Sequence, residues 1–145
     1  MRIVAQMQPP AAVLDELQTL AEERNRARMT KGAVKAVLSI AEAWGATDAE
    51  AAALLGVSAS TWDRMKAGSW DDVLSPDQLT RALALIGLFK GLHSVFADGM
   101  VYRWPKLPNR GSLFDRLSPV QAMIVGGIPR MLEIRQYIDT LGGGH

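Results

Sequence analysis

The 145-residue sequence has no cysteine, which excludes a disulfide framework, a CxxC redox pair and thiolate metal ligation. Aromatic residues are only 6% of the chain, and its two histidines are His93, in an apolar stretch, and His145, the last residue. A nucleophile with its base and orienting partner cannot be assembled from that inventory, so no catalytic residue and no enzyme activity is expected. Asp71-Asp72 has no further ligand at a recognisable spacing, and Gly126-Gly127 lacks the GK[ST] of a phosphate loop, so neither a metal nor a cofactor is expected. Charge of one sign is also missing: 16 basic against 15 acidic residues leave +1, which gives no global attraction to nucleic acid or to an acidic membrane. The longest apolar run, Ala82 to Phe89, falls far short of the roughly 20 residues that span a bilayer. Met1 to Pro10 carries one arginine and no continuous apolar core, so no signal peptide is read there and a cytoplasmic setting is expected.

With 48% hydrophobic and 21% charged residues, the chain has side chains for a real core, enough for one domain or two small helical units sharing it. No segment alternates with period two between turn dipeptides, so the fold class expected is all-α. After Pro9-Pro10, Val13, Leu14, Leu17, Leu20 and Ala21 form a helical stripe that is expected to end near Arg28. A second stripe, Val34, Val37, Leu38, Ala41 and Trp44, predicts a helix from Lys31 closed by Gly45. Ser75-Pro76-Asp77-Gln78 and Ser118-Pro119-Val120-Gln121 repeat one start signal: a serine cap, proline at the first helical position and glutamine at the third. The first of these helices is expected to reach about Phe96, with Leu79, Leu83, Ile86, Phe89 and Val95 near one side; the second is stopped by Gly126-Gly127. Asp98 to Gly111 reads as an ordered loop around Trp104 and Leu107. A last helix opens at Pro129 with Met131, Ile134, Ile138 and Leu141 as its apolar stripe, and Gly142-Gly143-Gly144-His145 reads as a flexible tail. Trp44, Trp62 and Trp104 are expected in the core and Trp70 nearer the surface.

Asp48 to Ala67 carries the pattern of a helix-turn-helix. Thr47 and Glu50 make a capping box, Ala52 is the small residue where two helices touch, and Gly56 permits the sharp turn. Leu55, Val57, Trp62 and Met65 fall where the inner faces must be apolar, Ser58 caps the second helix and Gly68 closes it. As a DNA reader this unit would offer Ser58, Ser60 and Thr61 to bases or phosphates, and Arg64 and Lys66 to phosphates. Its own charge from Asp48 to Leu74 is unfavourable, five acids against two cations. Upstream, Arg24, Arg26, Arg28, Lys31 and Lys35 place five cations and no acid in twelve residues, and of these Arg28 and Lys31 are the expected backbone contacts. The same run also fits a solvated basic helix end.

The order Trp104-Pro105-Lys106-Leu107-Pro108-Asn109, Leu113, Ser118-Pro119, Gly126-Gly127 and a closing striped helix resembles the toxin-binding domain of Xre/MbcA/ParS-type antitoxins. The helix-turn-helix before it belongs to the same family plan, so the resemblance covers roughly residues 30–145. It implies two parts, an Xre-like unit at 30–97 and a toxin-binding unit at 98–145, which follow the N-terminal helix read at 1–29. It implies a partner too, a RES-domain toxin that degrades NAD or transfers its ADP-ribose, whose active site the antitoxin's C-terminal region occludes. Operator DNA would be a second partner, bound for autoregulation, and a homo-oligomer or a toxin–antitoxin hetero-oligomer the assembly. Carried onto this chain, the inhibitory element is the helix from Pro129 to Leu141 with the glycines after it. Arg130 and Arg135 suit a pocket made for an anionic pyrophosphate, and Glu133, Tyr137, Leu141, Gly142 and Gly143 complete the expected contact set. The alternative is a stand-alone transcriptional regulator whose C-terminal helices dimerise.

Overall fold

The computed structural model describes the backbone of residues 11–143 and the side chains of residues 22–143. Pro9-Pro10, the side chains of the Val13 to Ala21 stripe, and Gly144-His145 lie outside the described residues. The elements are α1 (Ala11–Trp44), α2 (Asp48–Leu55), α3 (Ala59–Ala67), α4 (Pro76–Val95), α5 (Met100–Arg103), a 3-10 turn (Trp104–Lys106) and α6 (Pro119–Leu141). The fold is all-α, with no strand among the described residues.

α1 is one continuous helix, where the sequence suggested two separated near Arg28 to Lys31. No proline interrupts Arg28-Met29-Thr30, and Gly32 costs only about 1 kcal/mol of helix propensity. Thr30 supplies a positive reason for continuity. Its hydroxyl donates to the Arg26 carbonyl at 2.6 Å and accepts the Leu74 N–H at 3.2 Å, so this buried side chain ties the middle of α1 to the segment before α4. The helix ends as the sequence implies. Gly45 adopts φ +65°, Ala46 N–H reaches the Ala41 carbonyl at 3.0 Å, and Gly45 N–H reaches that of Glu42 at 3.1 Å.

α4 begins at the serine-proline cap and packs between α1 and α6. Its fully buried residues are Ala82, Leu85, Leu88 and Leu92; of the expected stripe Leu79 is buried with them, whereas Leu83 is exposed and Ile86, Phe89 and Val95 are half-buried. Beyond Leu79, the stripe expected from the sequence is therefore a flank of the inward face. The run from Ala82 to Phe89 is apolar on all sides, so periodicity could not select the arc that two neighbouring helices bury.

The Asp98 to Gly111 segment is more regular than a loop, because it opens with α5 and the 3-10 turn. Asp98 starts this turn by accepting the Met100 N–H at 3.0 Å, and Trp104 is buried while Leu107 stays exposed. Beyond it, Asn109 N–H to the Leu117 carbonyl (3.0 Å) and Arg116 N–H to the Asn109 carbonyl (2.9 Å) close a loop at its neck around the buried Phe114.

α6 starts where Ser118 accepts the Gln121 N–H at 3.1 Å and breaks at Gly127, whose φ of 67° and ψ of −158° are open essentially to glycine alone. The stop expected at Gly126-Gly127 is this break, and a second helical piece follows at once. That piece buries Met131, Ile134 and Ile138, but Leu141 is 55% exposed and does not join the core stripe. α4 lets it approach closely: a Cβ on Gly91 would stand 3.0 Å from Ile138 Cγ2. Buried residues from α1 to α6 form one core, so the helix-turn-helix and the C-terminal region share it. No helix among the described residues is long and apolar enough to cross a membrane.

Candidate functional site

The helix-turn-helix pair is built as its sequence demands. Thr47 accepts the Glu50 N–H at 3.1 Å while Glu50 Oε1 accepts the Thr47 N–H at 2.9 Å, so the capping box of α2 is complete. Gly56 turns the chain at φ +76°, and Ser58 Oγ accepts the Thr61 N–H at 3.1 Å to open α3. Ala52, Leu55, Trp62 and Met65 are buried where the two helices meet, and Val57 is half-buried. Asp48 fastens the pair from outside. It accepts the Trp62 indole N–H at 3.2 Å and the Lys66 ammonium at 2.9 and 2.8 Å. The Lys66 bond, followed by that of Trp62, holds the Asp48 carboxyl below its usual range, and Asp48 holds the Lys66 ammonium above its own.

That arrangement sorts the residues expected to touch DNA. Lys66 is engaged with Asp48, Ser58 caps α3, and half-buried Thr61 takes the Ser58 hydroxyl proton at 3.0 Å. The exposed outer face of α3 carries Ser60, Asp63, Arg64 and Ala67, so Arg64 is its one cation. Arg28 and Lys31 lie on α1, and helix continuity gives them company that a break at Arg28 would have hidden. Arg24, Arg28, Lys31 and Lys35, spaced by four, three and four, fall on one exposed stripe. Arg28 also reaches the Asn25 side chain. Lys31 and Lys35 border a cleft of about 340 Å³ whose other wall includes Met65 and Gly68 at the end of α3, with Asp71 and Asp72. The basic stripe thus stands beside the C-terminal end of α3.

The C-terminal set divides across the second piece of α6. Arg130, Glu133, Tyr137 and Leu141 share one flank by their spacing. There Arg130 donates to the Leu113 carbonyl at 2.6 Å and lies 3.6 Å from Glu133, and Tyr137 meets Phe114 edge-on with ring centroids 5.8 Å apart. Arg135 is on the opposite flank, where its guanidinium lies over Gly87 and within 4.0 Å of Asp139. Gly142 and Gly143 continue from the helix in hydrogen-bonded turns to Ile138 and Thr140. Both arginines are thus held by this chain's own groups.

Glu50 does more than its capping box announces. The same carboxylate receives the Lys106 ammonium from the 3-10 turn on Oε1 and the Gln121 amide from the first turn of α6 on Oε2, at 2.9 Å for the latter. Burial pushes its pKa up, but the bonds from Lys106, the Thr47 N–H and Gln121 outweigh burial and hold it below the usual glutamate value. Nothing in the local sequence around Glu50 signals these two partners, which lie 56 and 71 residues away.

Residues 23–87 match the family model of the antitoxin Xre-like helix-turn-helix domain. The match takes in most of α1, all of α2 and α3 and the first half of α4, which are the elements that position the outer face of α3 and the basic stripe. It supports an antitoxin or helix-turn-helix regulator role over an enzymatic one. No curated protein and no solved structure matches the chain.

Proposed function

We propose that this chain, built on an Xre-like antitoxin helix-turn-helix domain, is the antitoxin of a type II toxin–antitoxin pair. Its partner is a RES-domain toxin that consumes NAD, and its C-terminal region covers that toxin's active site. The observation that carries this reading is the antitoxin domain match at 23–87, continued through one shared core into the segment whose motif order, Trp104 to Leu141, resembles an antitoxin's toxin-binding unit. Each part then has its own role. The 30–97 unit faces DNA, the 98–145 unit faces the toxin, and residues 1–29 precede both.

Met131, Ile134 and Ile138 are buried, so the contact surface of α6 is its exposed flank with Glu133, Tyr137 and Leu141, followed by Gly142 and Gly143. On the DNA side, Ser60 and Arg64 face an operator while the Arg24 to Lys35 stripe meets phosphates and autoregulation follows. Operator symmetry makes a homo-oligomer the DNA-bound form.

Co-expression with the product of the adjacent open reading frame tests the reading. The full chain should restore growth, and a chain ending at Thr140, or one carrying Tyr137→Glu with Leu141→Asp, should restore it less while keeping its helical circular dichroism. Equal rescue by all three would remove the occlusion mechanism. An adjacent gene without a toxic product would favour the stand-alone regulator.

A further inference from the structure

We infer that the 108–117 loop and the exposed end of the first α6 piece form a docking face for an acidic segment of the partner protein, with an apolar side chain of that segment anchored beside Val125. The inference rests on the antitoxin reading and adds a surface to the contact set expected on the closing helix and its glycines.

The charge distribution leads to it. Residues 101–145 hold 6 basic and 3 acidic residues, yet half of those cations have partners in this chain. Lys106 is on Glu50, Arg130 on the Leu113 carbonyl and Glu133, and Arg135 lies over Gly87 and beside Asp139. Arg103, Arg110 and Arg116 are exposed, and the last two line one hollow of about 730 Å³ with Pro108 and Asn109. The neck bonds between Asn109 and residues 116 and 117 keep the backbone that carries Arg110 beside that of Arg116, with Asp115 and Arg116 held at φ of 50° and 68°. Two arginines lining one hollow suit carboxylates, which each guanidinium can grip with two hydrogen bonds.

Next to this hollow the surface turns apolar. Val125 is 76% exposed, more than any other large hydrophobic side chain among the described residues. It lines a second hollow, of about 250 Å³, with Leu113 and Leu117 on one side and Gly126 on the other. Asp115 is the one acid bordering either hollow. An apolar anchor site with a cationic rim is the complement of an acidic segment carrying an aliphatic or aromatic residue. The face is also continuous with the flank assigned to the toxin, since Arg130 borders the second hollow and Phe114, which borders it too, stacks on Tyr137.

The absence of cysteine makes the test direct, because Val125→Cys is then the only thiol in the chain. Its maleimide labelling is measured in the free protein and in the purified complex with the adjacent reading frame's product, with Ala67→Cys on exposed α3 as the control site. Labelling at 125 should slow at least tenfold in the complex and stay unchanged at 67. The Arg110→Glu, Arg116→Glu double variant, checked for an unaltered melting curve, should bind the same product ~10-fold or more weakly, with a flatter salt dependence. If wild type binds while 125 labels at its free rate and the double variant binds as wild type does, the docking face is wrong and occlusion by the C-terminal flank stands. If wild type does not bind the product at all, both fall.

Discussion

Glu50 shows how much one side chain can join. Its carboxylate closes the capping box of α2 and receives donors from the 3-10 turn and from α6, so charge at this position is part of the fold's pH dependence. Folding lowers its pKa, so the unfolded chain takes up the proton first as the solution is acidified. Its contribution is full above the ordinary glutamate value of about 4.3 and is lost as pH falls through the lower folded value. Glu50→Gln should therefore cost roughly 1–3 kcal/mol at neutral pH, and urea unfolding should show that gap to wild type closing in acid. Gly127 supplies a second residue-scale prediction. Its φ/ψ pair excludes a Cβ at low cost, so Gly127→Ala should lower stability by on the order of 1–3 kcal/mol in the same melts. The sequence disclosed the local half of both roles. Glu50 reads as a cap because its partner Thr47 is three residues away, and Gly126-Gly127 reads as a stop. The partners of Glu50 in other elements, and the resumption of helix after Gly127, depend on packing that no local spacing encodes.

At the scale of elements, starts and stops are legible in the sequence and faces are not. Serine or threonine caps, first-turn prolines and closing glycines act through bonds within four residues, so α2, α3, α4 and α6 begin where those signals stand. The inward arc of α4 and the length of α1 escape local spacing because each is decided by neighbours, and Thr30 meets the backbone of Leu74 from 44 residues away. A division of α1 into two helices also conceals the alignment of Arg24 and Lys35 with Arg28 and Lys31, which their spacing of four, three and four reveals once the helix is whole. The two cations of α3 now separate by role. Arg64→Ala should reduce the salt slope of operator binding by about 1, as the loss of one phosphate contact does, whereas Lys66→Ala should leave the slope unchanged because Lys66 faces Asp48. Titrations of fluorescent promoter DNA across a range of salt measure both.

At the scale of the whole molecule, one core joins the helix-turn-helix and the C-terminal region, so heat should unfold the chain in a single transition seen alike by circular dichroism and by tryptophan fluorescence. For the same reason a chain cut after Ile128 loses Met131, Ile134 and Ile138 from that core and should fail to fold, so it cannot report on occlusion. The near-zero net charge is likewise a sum of unlike regions: residues 1–100 carry 10 basic and 12 acidic residues, against 6 and 3 in residues 101–145. The Glu50 junction gives this union a thermodynamic consequence. Its two oxygens belong at once to the start of α2 and to the start of α6, so a partner that binds α6 in an altered position also changes the free energy of holding α2 in place. For the proposed function, linkage then requires the effect to run in both directions with equal size: whatever factor a toxin imposed on the affinity for DNA, DNA would impose on the affinity for that toxin.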